Sequence, residues 1–152
     1  MSDPTPDAQT IAEQYREAMN RGFIALLGTR FVEAGPDRVE LELDVTADLL
    51  QPYGILHGGV YSSMVETAAS MGAGLWFAGR GDVVGLQNTT HFLRAVRDGM
   101  LRAVGTPIHR GRTQQLWLVE VIDESGRLVA RGELRLANIA SADRLAGGPS
   151  SP

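Results

Sequence analysis

Two different periodicities divide this chain. From Arg38 to Val45, apolar Val39, Leu41, Leu43 and Val45 alternate with Arg38, Glu40, Glu42 and Asp44. A period of two predicts a strand with one buried face and one charged, outward face. Residues 29–33 precede it across a Gly35-Pro36-Asp37 turn, so 29–45 reads as a hairpin. The pattern then changes. Residues 51–80 begin as a loop containing Pro52 and Gly54 and become a nearly uncharged run rich in small side chains. Between His57 and Arg80 the only charged side chain is Glu66. A helix that is apolar nearly all round is expected to be buried, and a lone carboxylate within it is costly unless it is paired, hydrogen-bonded or functional.

The remainder reads as strands at 83–94, 100–108, 113–122 and 128–139, with Asp98-Gly99 and Ser125-Gly126 marking tight connections. In the last of these Arg131, Glu133 and Arg135 should face outward while Ala130, Leu134 and Leu136 face inward. Near the N-terminus a helix is expected up to Asn20, with Ile11, Tyr15, Ala18 and Met19 on one stripe. Gly22 is a plausible stop, and residues 23–27 form an apolar knot suited to a short helical turn. From Ser141 the composition turns to Ala, Gly, Ser and Pro, the signature of a disordered tail. Residues 1–22 are thus a lead-in with a short helix, 23–139 one domain, and 140–152 a tail. The fold class is α+β, a mostly antiparallel curved sheet around one long central helix. A second subunit is expected to cover what the sheet leaves open.

Composition narrows the function classes. The 152 residues suffice for one real core. A net charge of −4 argues against a nucleic-acid binder. There is no Cys, which removes disulfides, thiolate metal sites and a Cys nucleophile, and suits a cytoplasmic location. No metal site is expected. The N-terminus has no secretory pattern. Residues 58–79 are long enough to raise a membrane span, but Glu66 at the centre, with Ser62, Ser63, Thr67 and Ser70, favours a buried helix instead.

The candidate chemistry sits at the start of that helix. The first backbone N–H groups of a helix lack internal partners and carry the positive end of its dipole. Gly58 and Gly59 let a ligand approach them, so a carbonyl held there would be polarised and a developing oxyanion stabilised. Glu66 is eight residues on, about 12 Å along the axis at 1.5 Å per residue. One chain's helix start and its own Glu66 are therefore too far apart to grip one carbonyl, whereas a two-fold dimer could bring Glu66 of one subunit opposite Gly58 of the other. Each piece alone has a bland reading. Glu66 could pair with a buried Arg, His57 could be structural, and the Gly pair could be a tight helix entry.

The combination is more specific. QPYGILHGGVYSSMVE resembles the signature of the PaaI-type hotdog-fold acyl-CoA thioesterases, in particular the 4-hydroxybenzoyl-CoA thioesterase-like members. The strand segments GLQNTTHFLRAVRDG and GTPIHRGRTQQLWLVEVIDESGRLVARGEL are similar to that family too, so the resemblance spans roughly residues 22–139. It implies a hotdog fold and hydrolysis of an acyl- or aryl-CoA thioester, with coenzyme A as part of the substrate and no separate cofactor. It also implies a homodimer or homotetramer with shared sites. By position, Glu66 would be nucleophile or general base, and the Gly58 N–H would polarise the thioester carbonyl. His57 and Gln51 would position the carbonyl or water, and Ser70 would support the carboxylate. His91 departs from the polar residues common nearby and receives no role.

Arg94, Arg97, Arg102, His109, Arg110 and Arg112 cluster in one stretch of an otherwise acidic chain. Arg is well suited to the phosphates of coenzyme A. Arg94 and the loop His109-Arg110-Gly111-Arg112 are the candidate contacts, against the plain alternative of a solvated face. Two rival functions remain. One is a hotdog dehydratase or hydratase, although Glu66 nine residues after His57 favours hydrolysis. The other is a non-catalytic acyl-CoA sensor, although no accompanying DNA-binding segment is visible. Tyr53, Met64, Met71, Trp76 and Phe92 could line an acyl pocket or simply be core.

Overall fold

A computed structural model of the chain describes Gln9, Thr10, Glu13, Gln14, Glu17 and residues 21–140. The five isolated positions are helical. The expected apolar stripe of the N-terminal helix and the tail from Ser141 lie outside the described residues. The elements are a short helix α1 (Gly22–Leu27), strands β1 (Arg30–Ala34) and β2 (Val39–Asp44), a long helix α2 (Gly58–Phe77), and strands β3 (Gly81–Phe92), β4 (Met100–Arg110), β5 (Gln114–Asp123) and β6 (Leu128–Ala140). Gly28, in the left-handed region at φ 74°, closes α1.

All six strands form one antiparallel sheet in the order β1-β2-β4-β5-β6-β3. The β1–β2 and β5–β6 hairpins are the ones that Gly35-Pro36-Asp37 and Ser125-Gly126 predict. Asp98-Gly99, expected to close a hairpin, instead joins β3 to β4, which are not neighbours in the sheet, and β4 pairs with β5 across a turn the sequence did not flag. Two steps are non-local: the path from β2 to β3, which carries α2 across the sheet and deposits β3 at the far edge, and the return from β3 to β4 beside β2. The helix packs on β2 through β6 as it crosses. This is the hotdog arrangement expected from the resemblance, with the sheet curved around a central helix.

The core lies between α2 and the inward face of the sheet. Val39, Leu41, Leu43, Leu101, Ala103, Trp117, Val119, Val121, Leu134 and Leu136 are fully buried there against Met64, Val65, Ala68 and Met71 of the helix. Small residues set the spacing. A Cβ on Gly72 would collide with the Trp117 ring, and one on Gly132 would come to 2.7 Å from Val65 Cγ2. Trp117 Nε1 donates to Gln115 Oε1 (2.9 Å), and Gln115 Nε2 donates to Asn138 Oδ1 (2.8 Å), so the polar atoms in this packed layer are paired.

Two expectations need adjustment. Helix α2 is not apolar all round. Gly59, Ser62, Ser63, Glu66 and Ser70 form a strip that stays half-buried or exposed, while the opposite faces are buried. In β2 the alternation holds for Val39, Leu41 and Leu43, but Glu40, expected outward, is 8% exposed. Arg38 Nη2 donates to Glu40 Oε2 at 2.5 Å, and Arg102 covers the same carboxylate from β4. Arg102 Nε lies 2.9 Å from Glu40 Oε1 but is angled off a hydrogen-bond line, so it contributes charge rather than a good donor there. The outward face of the sheet is charged enough to bury a carboxylate under its own neighbours.

Candidate active site

The loop ahead of α2 is built to present its residues at one place. Gln51 N–H donates to Ile55 O (2.9 Å) and Gly54 N–H to Gln51 O (2.8 Å), closing a tight turn that Arg97 fastens by donating to Gly54 O (3.1 Å). An isolated bridge pairs Leu50 with Leu56, and His57 N–H donates to Leu49 O (3.0 Å). These bonds bring Gln51 beside the start of the helix.

His57 is the N-cap of α2. Its Nδ1 accepts from Gly59 N–H at 2.9 Å, and its carbonyl accepts from Val60 N–H at 2.9 Å. An accepting Nδ1 carries no proton, so in the neutral ring the proton is on Nε2. Of the first three helical N–H groups, two are thereby occupied. The third, Gly58 N–H, makes no hydrogen bond among the described residues. It is left at the positive end of a 20-residue helix. A side chain at either glycine would have to displace a ring that shapes this site. A Cβ on Gly58 would lie 2.8 Å from Phe92 Cζ, and one on Gly59 would lie 2.9 Å from His57 Nδ1.

A cavity of about 470 Å³ opens at this point, lined by Gln51, His57, Gly58 and Gly59 together with apolar Ile55, Leu56, Phe92 and Leu93. Tyr61 and Arg94 also border it. Arg94 Nε donates to Leu128 O (3.2 Å), which anchors the side chain there. Tyr61 is tilted against Phe92 with ring centroids 5.9 Å apart. Its hydroxyl is buried without a partner among the described residues, and burial raises the phenol's pKa. A polarising N–H beside an apolar cavity can hold a carbonyl whose substituent is apolar.

Glu66 opens elsewhere, into a second cavity of about 270 Å³ shared with Phe23, Ile24, Ser62, Ser63, Thr67 and Asn88. Its Oε2 accepts from Asn88 Nδ2 at 3.1 Å. A Cβ on Gly85 would collide with Oε1, so the carboxylate rests directly over the β3 backbone. Ser70 lies on the same strip of α2 but makes no hydrogen bond to Glu66 among the described residues. Within one chain the structure therefore groups Gln51, His57, Gly58 and Arg94, and separates them from Glu66 and Ser70.

The remaining candidates sit further off. His109 and Arg110 end β4, and Gly111 and Arg112 turn into β5. Arg110 pairs with Asp37 (2.8 Å), donates to Pro36 O (2.9 Å), and lies over the Trp76 ring at 5.4 Å. Trp76 is 18 residues beyond Gly58 on α2, about 27 Å along the axis. Arg94 and the 109–112 turn thus occupy opposite ends of the fold. Arg112 is exposed and makes no ion pair among the described residues. Of the apolar residues considered for a pocket, Met64 and Met71 are core, Tyr53 is 84% exposed, and Phe92 lines the larger cavity. His91 faces a separate hollow with Thr89, Arg131 and Glu133.

Sequence reasoning missed Asn88, Thr90 and Gly85. It recognised their strand, but only the register of β3 against β6 and the crossing of α2 bring them under Glu66. No helix among the described residues is long and apolar enough to cross a membrane, and no cluster of potential metal ligands occurs among them.

Residues 53–130 match the model of the thioesterase superfamily. The 1,4-dihydroxy-2-naphthoyl-CoA hydrolase of Escherichia coli is 36% identical over 121 residues, spanning 79% of this chain and 89% of that protein. Among solved structures, S. sahachiroi AziG is 47% identical with a TM-score of 0.78, covering 79% of this chain and 98% of its own. The thioesterase HI1161 of Haemophilus influenzae is 32% identical with a TM-score of 0.80, covering 85% and 90%. On sequence, fold and coverage together, this chain belongs to the thioesterase superfamily and is a thioester hydrolase.

Proposed function

We propose that the protein hydrolyses an aryl-CoA thioester to the free acid and CoA at a site shared between two subunits. The observation that carries this is the free Gly58 N–H at the head of α2, opening on an apolar cavity of about 470 Å³. The thioester carbonyl oxygen accepts from that N–H, and the acyl group lies among Leu56, Tyr61, Phe92 and Leu93. The likeness to an E. coli enzyme whose name specifies a naphthoyl-CoA substrate supports an aromatic acyl group. Gln51 and the Nε2–H of His57 orient the carbonyl or the attacking water.

Glu66 of the partner supplies the carboxylate. It either attacks the carbonyl carbon to give a mixed anhydride, which water then hydrolyses, or takes a proton from water as that water attacks. In both routes the sulfur leaves as the CoA thiolate and is protonated. Ser70, four residues beyond Glu66 on the open strip, is within the reach of that water. Arg94 beside the cavity is the cation of the same chain available to the CoA phosphates, and exposed Arg112, at the other end of the fold, would have to come from the partner subunit. Arg110 is already engaged by Asp37 and Pro36.

The test is Glu66→Gln, which keeps shape and removes charge. Turnover across acetyl-, hexanoyl-, benzoyl- and naphthoyl-CoA should fall by roughly 10²- to 10⁴-fold with the melting temperature little changed. The native protein should favour the aromatic esters. Near-native turnover by Glu66→Gln on every ester would overturn the assignment.

A further inference from the structure

We propose that Asn88 and Thr90 of β3 are positioning residues that hold the Glu66 carboxylate in its reactive orientation. The proposal rests on the reading of Glu66 as the reacting carboxylate, and adds the part of the site that holds it.

The geometry forms a chain of three links. Thr90 Oγ1 donates to Asn88 Oδ1 at 2.7 Å. The Ser62 carbonyl can only accept, so Nδ2 must face α2 and Oδ1 is left to take the Thr90 hydroxyl. There Nδ2 donates to two acceptors, Ser62 O at 3.0 Å and Glu66 Oε2 at 3.1 Å. Ser62 is four residues before Glu66, so its carbonyl also receives the helix's own hydrogen bond at Glu66. One side-chain amide thus ties the backbone turn beneath Glu66 and its carboxylate to the same point on the sheet.

The surroundings fit this arrangement. Gly85, on the same strand, lacks the Cβ that would displace Oε1. Gly132 of β6, paired with Thr90 in the register, lacks the Cβ that would press within 2.8 Å of Thr90 Oγ1. Oε1 itself accepts no hydrogen bond among the described residues. With Oε2 held by Asn88, Oε1 is the oxygen with free lone pairs, and the geometry assigns it the attack on carbon or the capture of a proton from water.

A carboxylate on a long side chain has several rotamers, and losing the correct one is a loss of orientation rather than of binding. Asn88→Ala and Thr90→Val should therefore lower kcat by about 10- to 100-fold, with KM for the fastest-turned-over CoA ester of the four-ester set changed by less than about threefold. Thr90→Ser, which keeps the donor, should restore at least half of native kcat. In a Glu66→Gln background, adding Asn88→Ala should cost no more than about twofold, because its effect passes through Glu66.

The outcomes separate the two readings. If Glu66→Gln itself remains active, the assignment of Glu66 fails first. If Glu66→Gln is inactive while Asn88→Ala and Thr90→Val keep native kcat, the carboxylate is right and the positioning pair is wrong. A fall in kcat that Thr90→Ser does not rescue, or that tracks only a lower melting temperature, also overturns the pair.

Discussion

Tyr61 shows how one atom can set stability against occupancy. Its ring is needed, since it packs on Phe92 and helps wall the larger cavity. Its hydroxyl is a liability in the free protein, because it is withdrawn from water with no partner among the described residues. Leaving such a group unsatisfied costs on the order of 1–3 kcal/mol. Tyr61→Phe removes the hydroxyl and keeps the ring, so it should raise stability by about 1 kcal/mol, read as a higher midpoint in urea unfolding. A lower midpoint would mean that the hydroxyl has a partner. His57 teaches the complementary lesson. Its type and position marked it in the sequence, but not its task. Capping the helix through Nδ1 uses the Gly59 donor and thereby designates Gly58 as the free one. The family resemblance singled out Gly58, but the physical reason for that choice lies in the orientation of the His57 ring, which no sequence pattern encodes.

At the level of elements, most of the fold was legible. Period-two alternation located β2, the uncharged run located α2, and Ser125-Gly126 fell at the β5–β6 hairpin, whereas Asp98-Gly99 marks the end of a crossover from β3 to β4 rather than a hairpin. Local pattern could not reveal where β3 goes, because its neighbour in the sheet is β6 rather than a strand adjacent in sequence. It also could not reveal the irregularity between Gly85 and Gln87, which sets the register that brings Asn88 under Glu66. The two sheet edges differ physically. β1 is five residues long, irregular near Val32, and carries the charged Arg30 and Glu33, all features that discourage further pairing. β3 is twelve residues long and exposes Val84 and Leu86 at 37% and 48%. A long edge of that kind is a template for pairing with another chain, so β3 is the expected seam between subunits. The double variant Val84→Lys/Leu86→Lys should move the mass measured by light scattering toward the monomer and lower thioesterase activity with it. An unchanged mass would place the seam elsewhere.

For the whole molecule, the decisive quantity is the length of α2. The free Gly58 N–H and Glu66 stand about 12 Å apart on one rigid helix and face different cavities. No side-chain rotation closes that gap, so one carbonyl can meet both groups only if they come from two chains. On the proposed mechanism, a closed two-fold dimer would have two equivalent sites, each taking Glu66 from one subunit and the Gln51–Gly58 loop from the other. This makes a quantitative prediction. Let Glu66→Gln and His57→Ala each inactivate the enzyme alone; the second also removes a helix cap, at a cost of about 1 kcal/mol. In a mixed dimer, both defects fall in one site and the other site is intact. Random 1:1 exchange gives half mixed dimers with one working site of two, so activity should recover to about a quarter of native. Co-expression with two different affinity tags, followed by sequential purification, isolates the mixed species, which should show about half of native turnover. A mixed species as inactive as its parents would require each chain to carry a complete site, and the division of labour along α2 would have to be abandoned.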